Sequence, residues 1–319
     1  MTDRTKPNLH ENNLLHEENI ENVSKNILAG NTFIIPTETV YGLAANALND
    51  AAIAKIYEVK RRPTFNPLIV HVSSIEKAQE YVEITENAKI LADKFWPGPL
   101  TMVLPKTKNC PISNLVSAGL DTIAIRSPQH PITQAILKKC GLPLAAPSAN
   151  FSGTLSPTSP NHISKELLES VGGIIDGGTC EIGLESTIVG FKKDNIIILR
   201  PGSVSKEDLI EALSIPVSIY QGNDITSPGQ MTRHYAPNAG LRLNAFGPQQ
   251  NEFMIGFGAV DGDINLSISG NLTEAASNLF TMLREADRSG KENIAVAPIP
   301  FEAIGFAIND RLERATKEE

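Results

Sequence analysis

Apolar positions along the chain follow two periods, and each change of period predicts an element boundary. From Glu18 to Leu28, the residues Ile20, Val23, Ile27 and Leu28 share one helical face, with Gly30 placed to end the helix. Phe33-Ile34-Ile35 is an unbroken apolar run and predicts a buried strand. A polar turn with Thr37, Glu38 and Thr39 comes next, then a helix through Ile53, Ile56 and Tyr57. The basic trio Lys60-Arg61-Arg62 precedes a second strand, Leu68-Ile69-Val70. Residues 74–95 read as one helix, ended by Trp96-Pro97-Gly98-Pro99. Further strands are predicted over 100–104, 120–125, 144–146, 174–175, 186–190 and 196–199, with helices over 131–139, 163–171 and 206–213. Helices alternate with strands, but several strands are close enough in sequence to form hairpins. The pattern therefore predicts an α/β fold with a mixed sheet rather than a purely parallel one.

The pattern breaks at Gln221. The following stretch, QGNDITSPGQMTRHYAPNAG, is polar, rich in Gly and Pro, and has little to bury, which suits a linker. Beyond it lie a strand over 253–257, a helix over 271–286 opening with capping-box spacing, a strand over 294–299 and a helix over 301–315. The predicted layout is a first domain over 1–222, a linker over 223–240 and a small α/β domain over 241–319. Residues 1 to 18 are polar and expected to fray.

Composition narrows the class of function. With 41% hydrophobic residues in 319, the chain can bury a real core. The net charge is −8, divided as −3 over residues 1–222 and −5 over the rest. Neither part has the basic balance of a protein held to nucleic acid by phosphate contacts, so no strong intrinsic nucleic-acid binding is expected. The N-terminus is polar and acidic, and no apolar run approaches the roughly 18 residues of a membrane span, so a cytoplasmic protein is expected. Cys110, Cys140 and Cys180 are widely spaced and suggest neither a disulfide framework nor a zinc site.

Polar residues at predicted strand ends mark the candidate chemistry, because α/β proteins place ligands there. Lys60 and Arg62, beside a proline that fixes the backbone, could present two cations to one polyphosphate; a solvated charge run is the plainer alternative. Thr37 and His71 close two strands, and would face the same cleft if those strands are neighbours. Arg126 directly follows Ile123-Ala124-Ile125 and must find either an internal carboxylate or an anionic ligand. Ser148 and Asn150, two apart in APSAN, would face one side and could hold a phosphate or ribose. Ser186 in GLESTIV and Arg200 in LRPG repeat the pattern. No GxSxG, GxGxxG, Walker loop, HExxH or clustered metal-ligand spacing occurs.

Taken together, PTETVYGL (36–43), KRRPTFNPLIVH (60–71), WPGPLT (96–101), GLDTIAIR (119–126), APSAN (146–150), GLESTIV (183–189), LRPG (199–202) and SPGQMTRHYAP (227–237) resemble the threonylcarbamoyl-AMP synthase family, the YrdC-like enzymes, in its long two-domain form. The resemblance implies a twisted mixed sheet around a concave, cationic cleft, with a small Rossmann-like C-terminal domain. It implies that L-threonine, bicarbonate and ATP give threonylcarbamoyl-AMP and pyrophosphate, and that a downstream transferase complex modifies tRNA beside the anticodon. Position by position, Thr37, His71, Arg126, Ala146 and Ser186 would hold threonine. Lys60, Arg62, Thr64, Thr122, Ser148, Asn150, Ser156, Arg200, His234 and Tyr235 would hold ATP, with Lys60 and Arg62 also catalytic. Mg2+ would arrive with ATP, with no protein side chain as its ligand. Segment 227–237 would close over the cleft, with Ser227-Pro228-Gly229 as the hinge. Two rival readings are an RNA-binding or ribosome-associated module and a carbamoyl-group enzyme with another acceptor.

Overall fold

Short apolar runs, interrupted by glycine, proline and capping side chains, give this chain many brief elements rather than a few long ones. The computed structural model describes residues 17–192, 195–222, 227–229 and 234–317. The frayed N-terminus expected up to residue 18 falls almost wholly outside these residues, as do positions 223–226 and 230–233 of the expected linker.

The N-terminal domain runs α1 (Glu17–Leu28), β1 (Phe33–Ile35), β2 (Gly42–Asn46), α2 (Asp50–Lys60), β3 (Ile69–His71), α3 (Ile75–Ala78), α4 (Glu86–Phe95), β4 (Leu100–Pro105) and β5 (Thr122–Arg126). It continues through α5 (Pro131–Cys140), β6 (Leu144–Ala145), α6 (Lys165–Glu169), β7 (Thr187–Lys192), β8 (Asn195–Arg200), α7 (Lys206–Leu213) and β9 (Val217–Ile219). The C-terminal domain holds β10 (Gly240–Arg242), β11 (Glu252–Gly256), β12 (Ile264–Asn265), α8 (Leu272–Asp287), β13 (Asn293–Val296) and α9 (Gly305–Ala315). The first sheet has the order β1-β2-β6-β3-β5-β4-β7-β8-β9; the second, β10-β13-β11-β12, is parallel throughout. The first is mixed, as its hairpin-close strands predict: β3–β5, β4–β7 and β8–β9 are parallel and the remaining pairs antiparallel. No helix among the described residues is long and apolar enough to cross a membrane.

Strand register shows what each face does. Side chains alternate along a strand, so partners in register share a face. Phe33, Ile35, Ala44 and Leu144 meet α1 and α5 in one apolar cluster. His71 pairs with both Leu144 and Arg126, Ala124 with Ile69 and Val103, Thr101 with Ile188, and Ile188 with Arg200. The face that carries α1 and α5 at one end therefore carries His71, Arg126, Thr101 and Arg200 further along. There, in place of a helical layer, lies a small apolar floor of Ile69, Ala124 and Ile188, flanked by Val103 and Leu199.

Several elements depart from the sequence pattern. β2 is absent from it, because Leu43-Ala44-Ala45 has weak strand propensity and is held by pairing with β1 and β6 on either side. The helix expected over 74–95 is broken into α3 and α4. Ser74 and Thr85 each cap a new start by accepting from Lys77 N and Ala88 N, and Val82 bridges to Lys106 between them. The strand expected at 174–175 is a single bridge to Ile34. β9, β10 and β12, two or three residues each, are too short to register as a period. At the start of α8, Asn271 caps Glu274 N, but the Glu274 carboxylate accepts from Ser267 instead of completing the capping box.

The domains share buried surface. Val40, Leu155 and Leu184 belong to the C-terminal domain's core cluster. Gly183, at φ +76°, lets that chain segment lie on the α8 backbone; a Cβ there would stand 2.6 Å from Ser277 Cα. Gly183→Ala should cost about 1–3 kcal/mol of folding free energy, measured by urea denaturation. An unchanged midpoint and slope would contradict this packing.

Candidate functional site

The basic trio divides its directions. Arg61 takes the left-handed conformation (φ 51°) as the C-cap of α2, and its side chain turns outward to an exposed Glu166 at 2.5 Å. That turn sends Lys60 and Arg62 inward. Lys60 is 1% exposed and donates to the carbonyl oxygens of Ser148 and Asn150. Arg62 is braced by the Asn66 side chain and the Pro67 carbonyl at 2.6 and 2.7 Å and lines the cleft. The cleft has Thr37, His71, Arg126, Ala146, Ser148, Ser186, Arg200, His234 and Tyr235 in its walls.

At one end of the cleft, Arg126 is already engaged. Its Nη2 donates to Glu38 at 2.5 Å, Nη1 to Thr39 Oγ1 at 2.9 Å and Nε to Gly98 O at 3.0 Å. Both alternatives left open by the sequence thus bear on this residue: it has an internal carboxylate, and two of its five N–H groups remain. His71 stands opposite it in register. Thr37 is brought near by a route other than strand adjacency, because β2 and β6 separate β1 from β3. Its hydroxyl organises its own turn, donating to Val40 O at 2.6 Å and accepting from the N–H groups of Thr39 and Val40. Ser186 is held by Thr101 Oγ1 at 2.8 Å and by Arg200.

At the other end, Ser148 bridges to Gly42, so it reaches the wall through a strand the sequence pattern missed. Asn150 pins the loop 151–154 through its Nδ2, while its Oδ1 has no partner among the described residues. Ser156 gives its hydroxyl to Glu185. Gly229, at φ +82°, lies against Arg200, where a Cβ would stand 2.8 Å from Cδ. Residues 228, 229, 234 and 235 thus put both described ends of the expected lid into the cleft wall. Lys60, Asn150 and Ser156 are buried behind the residues that line the cleft, and two further predicted residues lie apart. Thr64 is exposed on the loop beyond Arg62. Thr122 starts β5, on Arg126's face but about 13 Å along the strand, at the far end of the apolar floor.

Two family models match the chain: one described as Telomere recombination (Sua5/YciO/YrdC) over residues 25–202, and one described as Threonylcarbamoyl-AMP synthase, C-terminal domain, over 204–316. A threonylcarbamoyl-AMP synthase from Pyrococcus abyssi is 38% identical over 314 residues, covering 91% of this chain and 92% of that one. The chain belongs to the threonylcarbamoyl-AMP synthase family. A second synthase, from Bacillus subtilis, is 39% identical over 305 residues, 88% of each chain. The crystal structure of P. abyssi Sua5 complexed with L-threonine superposes with a TM-score of 0.87 at 35% identity, covering 94% of this chain and 95% of that one. The two-domain form of the family and its YrdC-like domain with a twisted mixed sheet are therefore those of this chain.

The electrostatics of this family member favour an anion in the cleft. Burial, reinforced by neighbouring Arg62, pushes the Lys60 ammonium well below its ordinary pKa. Burial likewise lowers Arg62 to about 10, and lowers Arg200. Cations desolvated without a full complement of carboxylates bind a polyanion the more strongly. Among the described residues, no group of three or more His, Cys, Asp or Glu forms a metal site. The two carboxylates at the cleft, Glu38 and Glu185, are each held by arginine.

Burial also holds three histidines neutral: His71 and His234 fall to about 3, and His162 to about 4. The unfolded chain, with histidine near 6.5, then binds more protons than the folded one below that pH. Stability should therefore fall on acidification from about pH 6.5, by about 2 kcal/mol per histidine between pH 7 and 5. His71→Gln should flatten the slope; an unaltered pH dependence of unfolding would refute its contribution.

Sequence reasoning missed Glu185, Thr101 and Arg311, and gave Glu38 no role. The signal for Arg311 was present. It sits among Ala307, Ile308, Leu312 and Ala315 on the buried face of α9, where an arginine requires a partner.

Proposed function

We propose that this chain converts L-threonine, bicarbonate and ATP into threonylcarbamoyl-AMP and pyrophosphate. A downstream transferase complex would then carry the threonylcarbamoyl group to the adenosine beside the anticodon of tRNA. The observation that carries this reading is the continuity of the cleft. A compact polar end, where His71 faces Arg126, runs without a break into a cationic end lined by Arg62 and Arg200, with Lys60 buried directly behind Ser148.

In this reading, threonine occupies the first end, among Thr37, His71, Arg126, Ala146 and Ser186. Its carboxylate takes the two N–H groups of Arg126 that Glu38, Thr39 and Gly98 leave, so Glu38 orients the guanidinium while weakening its net charge. ATP occupies the second end, with its phosphates on Lys60, Arg62 and Arg200 and within reach of Ser148, Asn150 and Ser156. The apolar floor toward Thr122 suits the base and ribose. The threonine nitrogen bonds to the carbon of bicarbonate with loss of water, giving a carbamate. A carbamate oxygen then bonds to the α-phosphorus, and the bond to the β-phosphate oxygen breaks with its electron pair leaving on pyrophosphate. No protein nucleophile takes part, and the hydroxyls of Thr37, Ser156 and Ser186 are all engaged in hydrogen bonds. Catalysis is alignment plus neutralisation of the charge that develops on the leaving group. Mg2+, carried by the triphosphate, would share that neutralisation.

The segment 223–240, dividing domains 1–222 and 241–319, closes as a lid and keeps water from a carbamate that would otherwise decompose. The reaction is assigned to the cytoplasm, and the acidic balance of the chain leaves tRNA to the partner complex. Carbon-13 bicarbonate should appear in a threonine- and AMP-containing product by mass spectrometry. Conversion of ATP with no label in any adenylate would refute the proposal.

A further inference from the structure

The C-terminal domain sends a charged side chain into the wall behind the cleft. Arg311 on α9 is 0% exposed, and its Nε donates to Glu185 Oε2 at 2.9 Å. The other oxygen of that carboxylate accepts the Ser156 hydroxyl. Arg311 Nη1 donates to Asp310 at 2.6 Å, and the guanidinium lies 5.0 Å from the centroid of the Tyr235 ring. That ring stacks on Phe280 of α8 at 5.8 Å. Two parts of the cleft wall, the residue preceding Ser186 and Tyr235, thus converge on one arginine together with the buried loop bearing Ser156 behind them. Helix α8 braces the same loop, because Arg284 Nη2 donates to Leu155 O.

The charges explain why an arginine is needed there. Arg62 and Arg200 line the cationic end of the cleft, Lys60 stands behind it on the Ser148 carbonyl, and Glu185 is the carboxylate that lines the cleft beside Arg200. A carboxylate free to turn toward the cleft would repel phosphate oxygens. Here one oxygen is held by Arg311 and the other by Ser156. Burial works to raise the Glu185 carboxyl, and Arg311 and Arg200 overcome it, leaving it below the usual carboxylate range.

We propose that Arg311 is a positioning residue for the ATP half of the site: it fixes and neutralises Glu185, which holds Ser156 in place and keeps a carboxylate charge off the bound triphosphate. The C-terminal domain is then part of the nucleotide site and not only a support for the lid. This inference rests on the synthase reading.

The test compares full-length wild type, Arg311→Met, Glu185→Gln and the double variant. ATP dissociation constants come from calorimetry, and KM values for ATP and threonine from pyrophosphate release. Arg311→Met should weaken ATP binding and raise KM for ATP at least tenfold, while KM for threonine stays within threefold. Adding Glu185→Gln should bring ATP affinity back to within threefold of wild type, because the charge that needed neutralising is gone. A purely structural role would raise both KM values together, and the second substitution would not rescue; that result, or unchanged ATP affinity in Arg311→Met, overturns the proposal. If Arg311→Met does not fold, the double variant decides, since a buried ion pair replaced on both sides is tolerated better than one left half-removed. ATP affinity within threefold of wild type supports the inference, and a tenfold loss in the folded double variant overturns it. Wild type that releases pyrophosphate without threonine would defeat the synthase reading itself, whereas threonine-dependent wild type with an indifferent Arg311 defeats only this inference.

Discussion

Arg126→Met should abolish threonine-dependent pyrophosphate release and lower the folding free energy by about 3–5 kcal/mol. Both effects have one origin. Arg126 is 3% exposed and Glu38 4%, and they meet at 2.5 Å. Removing the cation strands a carboxylate that also accepts from Gln129 N and pairs with no other arginine among the described residues. It also removes the N–H groups proposed to meet the substrate carboxylate. The two consequences separate in the double variant Glu38→Gln with Arg126→Met. Stability, measured by urea denaturation, should largely return because the unpaired charge is gone, whereas turnover should not. Activity restored along with stability would mean that Arg126 supports the fold and does not touch threonine.

Lys60→Met should reduce turnover by about 100- to 1000-fold, the range for loss of a preorganised charge at a reacting phosphate. The effect should fall on kcat more than on KM for threonine, since Lys60 stands at the phosphate end. The ammonium also ties together the Ser148 and Asn150 carbonyls, so some stability, about 1–3 kcal/mol, should go with it. A folded variant with near-normal kcat would remove Lys60 from the catalytic set.

How much of this was legible in the sequence depended on whether a feature is local. The α7 helix over 206–213 was readable because its signals are local, its N-cap Ser205 and C-cap Ser214 directly flanking its eight residues, and the capping box between Ser205 and Asp208 is present. Helix α5, with Pro131 at its start and Gly141 at φ 68° as its C-cap, was readable for the same reason. β2 was not, because what makes Leu43-Ala44-Ala45 a strand is the neighbours on both sides. Without it, whether the strands before Thr37 and His71 are neighbours stays open; two strands lie between them. The residue types at strand ends marked out the cleft, but their partners did not follow from them. Glu38 lies 88 residues from Arg126, and Glu185 lies 126 residues from Arg311. Such pairings depend on chain topology, which short-range periodicity does not encode.

The central claim is that one cleft joins threonine, bicarbonate and ATP in a single reaction. Pyrophosphate release from ATP, with threonine and bicarbonate each omitted in turn and carbon dioxide purged from the buffer, tests it most directly. The account predicts release only when all three are present, and loss to background on either omission. Release at the full rate from ATP alone, or with threonine but no source of carbonate, would contradict it.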